Sequence, residues 1–173
     1  MNKVVFELAN KYRRKILKKG YINPGHNGPY NDLETPVRNT AHWLISFSYL
    51  YKITDDFKYY KAAEKCANYL ISDKNRPMNA TFYCRKNPNK DFSNGLIGQA
   101  WVIESLVEAY KLIKRNDFID SALEVFLLHP FDEQLGLWKI VNVDGSYYGY
   151  DLTFNHQLWF AAAGSLLYEV TNN

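Results

Sequence analysis

The sequence predicts an all-α fold of repeated antiparallel helical hairpins, with one small β-hairpin near residues 137–150. Three observations carry that prediction. Trp43, Trp101 and Trp159 recur at an even interval of 58 positions, as expected of stacked supersecondary units none of which buries its apolar face alone. Each tryptophan opens an apolar run behind a polar side chain, in His42-Trp43-Leu44-Ile45, Gln99-Ala100-Trp101-Val102 and His156-Gln157-Leu158-Trp159. Between the runs, turn-forming residues fall where paired helices must reverse.

The first element is an amphipathic helix over residues 1–20. Val4, Val5, Leu8, Tyr12 and Ile16 recur at three-to-four spacing, and seven basic side chains stand against Glu7 alone. The basic residues read as the wet side of an outer helix. Residues 1–20 thus carry +6 (7 − 1) and the rest of the chain −3 (14 − 17), so the basicity behind the formal charge of +3 is local. A nucleic-acid or anionic-membrane partner would need a broader basic surface than the rest of the chain supplies, so neither is expected.

An irregular connector follows, dense in Asn, Pro and Gly from Asn23 to Pro29. Helix resumes near Thr35-Pro36, and Trp43, Phe47, Leu50 and Tyr51 share one face. Thr54-Asp55-Asp56 breaks the run and caps a partner helix carrying Phe57, Tyr60, Ala63, Ala67 and Leu70. Short linkage between two apolar faces means an antiparallel hairpin over 36–72. A polar connector through Pro77 and Pro88 leads to a second hairpin over 94–128, reversed at Asn116-Asp117. His129-Pro130 ends it. The period then shifts toward two, and Asp144-Gly145 sits between Trp138–Val143 and Ser146–Tyr148, a strong β-hairpin signal. A last helix covers 153–170, with Ala161-Ala162-Ala163-Gly164 suited to close helix contact.

No stretch is apolar and long enough to span a bilayer, and no secretory signal opens the chain. Cys66 and Cys84 read as free thiols in a reducing cytoplasm, Cys66 in the core and Cys84 in an accessible connector. The sequence contains no HExxH, CxxC, GxGxxG or P-loop pattern, so no metal or cofactor is expected and the metalloprotease, dinucleotide and nucleotide-triphosphate classes fall away. By contrast, 14 Tyr, 10 Phe and 4 Trp exceed the needs of a core this size, so some rings should face a ligand.

Arg38-Asn39-Thr40-Ala41-His42-Trp43, Thr54-Asp55-Asp56-Phe57-Lys58-Tyr59-Tyr60 and Asn94-Gly95-Leu96-Ile97-Gly98-Gln99-Ala100-Trp101 resemble the six-hairpin α/α toroid superfamily. That group holds N-acylglucosamine 2-epimerase-like enzymes, unsaturated glucuronyl hydrolases and other glycosidases. The resemblance covers about residues 35–173 and implies the N-terminal part of a toroid. A complete ring needs six hairpins; this chain supplies two and the first helix of a third. It therefore reads as one incomplete domain over 1–173, a fragment or a truncated product short of full activity, with self-association to cover its open faces.

In such toroids the first helix of each hairpin lines the inside, so the resemblance places the site at those helix starts. It implies His42, His156 and Asp151 as catalytic candidates. Arg38, Asn39, Trp43, Gln99, Trp101, Asn155, Gln157 and Trp159 become substrate contacts, extended by Tyr150 from the ribbon. Sugar chemistry suits this set, since hydroxyls need directional donors and acceptors while C–H faces lie on aromatic rings. Two mechanisms stay open: a histidine acting as base beside a carbonyl, as in an epimerase, or Asp151 acting as the acid of a glycosidase with a second carboxylate such as Glu104. Each assignment has a plainer rival. The tryptophans can be packing anchors, and the histidines can satisfy backbone groups. Outside enzymology, a helical-repeat module gripping a protein is the alternative, weakened by the reuse of His-Trp and Gln-Ala-Trp at helix starts.

Overall fold

The computed structural model describes residues 3–25 and 28–172; His26 and Asn27 of the first connector lie outside them. Six helices follow in chain order: α1 (Lys3–Lys19), α2 (Val37–Thr54), α3 (Phe57–Leu70), α4 (Gly95–Ile113), α5 (Asn116–Leu127) and α6 (Phe154–Thr171). A three-stranded antiparallel sheet lies between α5 and α6, with β1 (Phe131–Asp132), β2 (Leu137–Val141) and β3 (Tyr147–Tyr150) in that order. The Asp144-Gly145 turn forms as expected, with Gly145 at φ +83°, where a side chain would be strained. The strand β1 is the addition: two residues after Pro130 pair with Leu137 and Trp138.

Helix ends follow local chemistry. Gly20 adopts a left-handed conformation and its N–H closes on Ile16. Asp55 and Lys114 do the same at the ends of α2 and α4, satisfying carbonyls that the helix leaves open. Asp56 caps α3 by accepting the Lys58 N–H at 3.1 Å. The α5 cap is Arg115 rather than Asn116; Arg115 is held there by both oxygens of Asp117.

Two layers result. The helices α2, α4 and α6 stand side by side, and α3 and α5 pack behind them as the second members of two hairpins. The helix α1 lies against α3 in the outer layer. Small side chains set these distances: Ala62, Ala63, Cys66 and Ala67 of α3 are fully buried, and a Cβ on Gly164 of α6 would lie 2.5 Å from the Phe126 ring of α5. Phe47, Tyr59, Phe118 and Phe160 fill the space between layers, each worth roughly 2 to 3 kcal/mol of burial. Lys52, Glu108, Lys111 and Glu169 form a chain of ion pairs across α2, α4 and α6. Both cysteines are free and buried. Cys84 is therefore not the accessible thiol expected of a connector: its segment is folded inward against Gly98 and Gln99, and burial pushes the thiol pKa well up. No helix among the described residues is long and apolar enough to cross a membrane.

Candidate functional site

The starts of the inner helices are built from buried polar struts. Gln99, with no exposed surface, accepts the Phe82 N–H at 2.8 Å and donates to the Phe82 and Ser93 carbonyls at 3.0 and 2.6 Å. Gln157 repeats the arrangement 58 residues later: it accepts the Trp138 N–H at 2.9 Å and donates to the Trp138 and Asp151 carbonyls at 3.0 and 2.7 Å. A side-chain amide carries a donor and an acceptor side by side and so closes on the N–H and C=O of a single residue, as a neighbouring strand would. Both glutamines thus clip a passing connector to a helix, and neither faces open space.

The connector from 80 to 93 folds over the start of α4. Buried Arg85 donates to the Asp91 carbonyl at 2.9 Å and pairs with the Asp91 carboxylate. The other Asp91 oxygen accepts the Gly95 N–H at 2.6 Å. Asp32 faces this group, held by Lys90 and Asn87 at 2.7 Å each; the Lys90 and then the Asn87 hydrogen bonds lower its pKa. Asn94 and Gly95, at φ +60° each, turn the chain sharply into α4.

Asp151 and His156 occupy the adjoining position at the start of α6. The Asp151 carboxylate is buried; one oxygen accepts the Leu96 N–H of α4 at 3.2 Å and the other the Thr153 N–H at 3.2 Å. The tight fit depends on Gly95, whose Cβ, if present, would lie 2.8 Å from Asp151 Oδ2. His156 Nδ1 meets the same carboxylate at 3.0 Å. A carboxylate on one ring nitrogen fixes the tautomer with Nδ1–H donating and leaves Nε2 as the basic atom.

His156 borders a cleft of about 380 Å³ lined also by Asp32, Arg85, Lys90, Asn94, Trp101, Asn155 and Trp159, with Tyr30, Ile97 and Thr153 completing the wall. A smaller recess of about 160 Å³ continues it past His156 to Asp151, Gly95 and Ile140. Trp101 and Trp159 supply the aromatic walls, and the Trp159 indole N–H donates to Glu104 at 3.3 Å. The cleft combines two ring faces, an oriented imidazole and several hydroxyl-competent amide and charged groups, a lining suited to a polar ligand with apolar faces.

Of the residues named from sequence, the structure brings Asp151, His156, Asn155, Trp101 and Trp159 together. Arg38 and His42 are not among the lining residues but pack on Trp101: the Arg38 guanidinium is 4.6 Å from its ring and the His42 ring 5.2 Å. Arg38 is already paired with buried Glu34 at 2.5 Å, rather than open to a ligand carboxylate. Surrounding protein and then the Arg38 charge depress the His42 pKa. Four others stand apart from the lining. Gln99 and Gln157 are the struts described above. Asn39 donates to the Asn23 carbonyl at 3.0 Å, pinning the first connector. Trp43 stacks on Tyr12 of α1 at 4.4 Å. Tyr150 also lies off the cleft, donating to Asp132 at 2.6 Å within the sheet. Asp32, Arg85, Lys90 and Tyr30 were not expected. They come from connectors without periodicity, where only the clustering of charge around residues 85–91 signals a folded polar segment.

No family model matches the chain. Archaeal glycosylation protein Q of Haloferax volcanii is 48% identical over 148 residues, covering 86% of this chain and 40% of that protein. This chain therefore spans well under half the length of that relative. Among solved structures, cellobiose 2-epimerase of Bacillus thermoamylovorans superposes with a TM-score of 0.65 at 20% identity, covering 100% of this chain and 52% of its own. A second cellobiose 2-epimerase, from Spirochaeta thermophila, gives 0.63 at 16% identity, over 99% of this chain and 52% of that one. A GH76 α-mannanase of Bacteroides thetaiotaomicron gives 0.61 at 14% identity, over 99% and 48%. The alternating inner and outer helices, the clipped helix starts and these superpositions together establish the fold as that of the six-hairpin α/α toroids, of which this chain spans about half.

Proposed function

We propose that this chain is the sugar-binding half of a carbohydrate-active toroid, taking a sugar or uronate in the cleft between Trp101, Trp159 and His156. The observation that carries the reading is the Asp151–His156 pair, with Nδ1 held at 3.0 Å and the ring bordering an aromatic-walled cleft. The sugar-acting neighbours and the glycosylation-related name of the Haloferax volcanii protein support the substrate class. The indoles take the C–H faces of the ring, while Asn94, Asn155, Asp32 and Lys90 meet hydroxyls.

Proton transfer by His156 is the favoured chemistry. Its Nε2 removes a proton from a carbon beside a carbonyl, and epimerisation follows when the planar enolate is reprotonated on its opposite face, by a second acid or by His156 after the intermediate turns over, while Asp151 stabilises the imidazolium. The hydrolytic reading asks Asp151 to give up a proton. Its two oxygens instead accept N–H donors from Leu96, Thr153 and His156, which makes it an orienting acceptor.

A monosaccharide and disaccharide screen followed by tryptophan fluorescence tests binding. Exchange of sugar C–H for deuterium in D2O, followed by NMR, tests the chemistry. The expected outcome is exchange that His156→Ala lowers by about 100-fold or more, as for loss of a general base, with binding weakened by Trp159→Ala. Exchange that survives His156→Ala, or a screen with no binder, ends the proposal.

A further inference from the structure

The cleft and the recess at the inner helix starts meet along a short shared edge. Among the described residues, three side chains border both the cavity of about 380 Å³ and that of about 160 Å³: Arg85, Asn94 and His156. One is the base proposed above, one a neutral amide and one a permanent cation. A sugar carbon presented to His156 at that edge has its neighbouring groups among the other two.

Arg85 comes from the connector before α4, and its side chain is only 11% exposed. Its Nε donates to the Asp91 carbonyl at 2.9 Å and its Nη2 to the Asp91 carboxylate. Asp91 is itself fixed, accepting the Ser93 hydroxyl at 2.8 Å and the Gly95 N–H at 2.6 Å. The guanidinium is thus clamped along one edge. Its other terminus, Nη1, makes no hydrogen bond to the described residues, since Asp32 Oδ2 at 3.8 Å lies beyond hydrogen-bonding range. Nor is Nη1 sealed away: the buried side-chain atoms left without a partner among the described residues are Ser48 Oγ and His129 Nε2. The two N–H bonds of Nη1 accordingly reach open space, and the open space this residue borders is the cleft and its recess.

We infer that Arg85 is a second catalytic residue, whose free Nη1 terminus holds the oxygen on which negative charge develops when His156 removes a proton. The inference rests on the proton-transfer reading of His156. As Nε2 takes the proton, the C–H electron pair forms a carbon–carbon double bond and the carbonyl π pair moves onto oxygen. That enolate oxygen accepts the Nη1 N–H bonds, and on reprotonation at carbon the pair returns to the carbonyl. The guanidinium keeps its own protons throughout, so it does not compete with His156 as a base. Other donors nearby are committed. The Gly95 and Leu96 N–H groups at the start of α4 point at the Asp91 and Asp151 carboxylates, which leaves no backbone pair there for an oxyanion. Lys90 is held by Asp32 at 2.7 Å and, of the two cavities, borders only the larger. Asn94 is neutral, and a charged donor makes the stronger hydrogen bond. A donor already clamped in place needs no reorganisation as the charge appears.

Deuterium exchange into the sugar C–H in D2O, measured over a range of concentrations of the sugar found by the binding screen, tests the inference. Arg85→Gln should lower the exchange kcat by about 100-fold or more, as for loss of an oxyanion donor, with KM unchanged. Binding of the corresponding sugar alcohol, which has no carbonyl oxygen, should stay as in the wild type by tryptophan fluorescence. Far-UV circular dichroism reports whether the variant folds, because breaking a buried ion pair is costly. Should Arg85→Gln unfold the chain, Arg85→Lys makes the same test: it keeps a charge beside Asp91 and Asp32 but lacks the second terminus, and the same loss of kcat is expected. Exchange that requires His156 yet survives both substitutions, or a defect confined to KM, overturns the role of Arg85 and leaves the sugar-binding reading standing. Absence of exchange in the wild type sinks both.

Discussion

The lead-ins to α4 and α6 are one scaffold used twice for different ends. In both, a glutamine clips the N–H and C=O of an earlier aromatic residue, Phe82 or Trp138, and a carbonyl six residues before itself, Ser93 or Asp151. Moving back 58 positions turns Asp151 into Ser93 and His156 into Gly98. At α4 that pair is a closed contact, since a Cβ on Gly98 would lie 2.4 Å from the Ser93 carbonyl oxygen. At α6 it is a hydrogen-bonded carboxylate and imidazole opening on the cleft. The repeat fixes where backbone passes; two differences at equivalent positions turn a packing contact into a hydrogen-bonded carboxylate and imidazole.

The sharpest test of the shared scaffold is removal of the clips. Gln99→Ala strands two carbonyls and an N–H in a fully buried place, and at 1 to 3 kcal/mol per orphaned group it should cost about 4 kcal/mol. Gln157→Ala, at 8% exposure, should cost slightly less, about 3 kcal/mol, because water reaches the vacated groups. Urea unfolding of both variants checks the pair; a loss confined to one would show that the two lead-ins are not equivalent.

Acid should separate the regions next. His129, at the end of α5, is buried against Phe160 of α6 at 4.8 Å. Burial pushes its pKa down to about 4, against the opposing hydrogen bond to the Val125 carbonyl. The unfolded chain takes up this proton near pH ~6.5 and the folded chain resists it. Stability therefore falls as pH drops from about 6.5 toward about 4, by on the order of 3 kcal/mol, and levels below. His129→Phe should flatten that slope in pH-dependent unfolding. Amide exchange should show α6 loosening in this window before α4.

A smaller effect tests the closed pair itself. Gly98→Ala should destabilise by about 2 kcal/mol, since the obstructing atom is a backbone oxygen that cannot swing aside, whereas His156→Ala, half-exposed, should cost under about 1 kcal/mol of folding stability. Thermal denaturation of the two variants reads the contrast. Smallest is Trp159→Phe: losing the indole hydrogen bond to Glu104 at 3.3 Å, an exposed contact, should change stability by about 0.5 kcal/mol.

The helical part of this architecture was legible because helix periodicity and turn chemistry are local. Trp43, Trp101 and Trp159 marked equivalent places, and Asp144-Gly145 marked the ribbon of β2 and β3, while the two-residue β1 was too short to leave a periodic trace. The cleft was legible in part. Asp151, Asn155, His156 and Trp159 lie on or just before α6, so their spacing in sequence survives as proximity in space, and Trp101 joins them from the equivalent place on α4. His42 and His156 look alike as histidines near a tryptophan, yet they occupy different positions of the 58-residue frame, one and three residues ahead of it. They accordingly meet different partners, one the Trp101 ring and the other the Asp151 carboxylate.

By itself, then, the sequence determined the alternation of helices, their pairing into hairpins and the polar stretch at the start of α6 that borders the cleft, because each follows from contacts within a turn or two of chain. Only the tertiary structure decided which polar side chains became struts and which faced the cleft. Gln99 and Trp101 are two residues apart, yet one is sealed and the other lines the opening, and Asp32, Arg85 and Lys90 reach the same wall from separate connectors. A polar group's role depends on whether a backbone partner is waiting where it is buried, and that partner is supplied by residues distant in sequence.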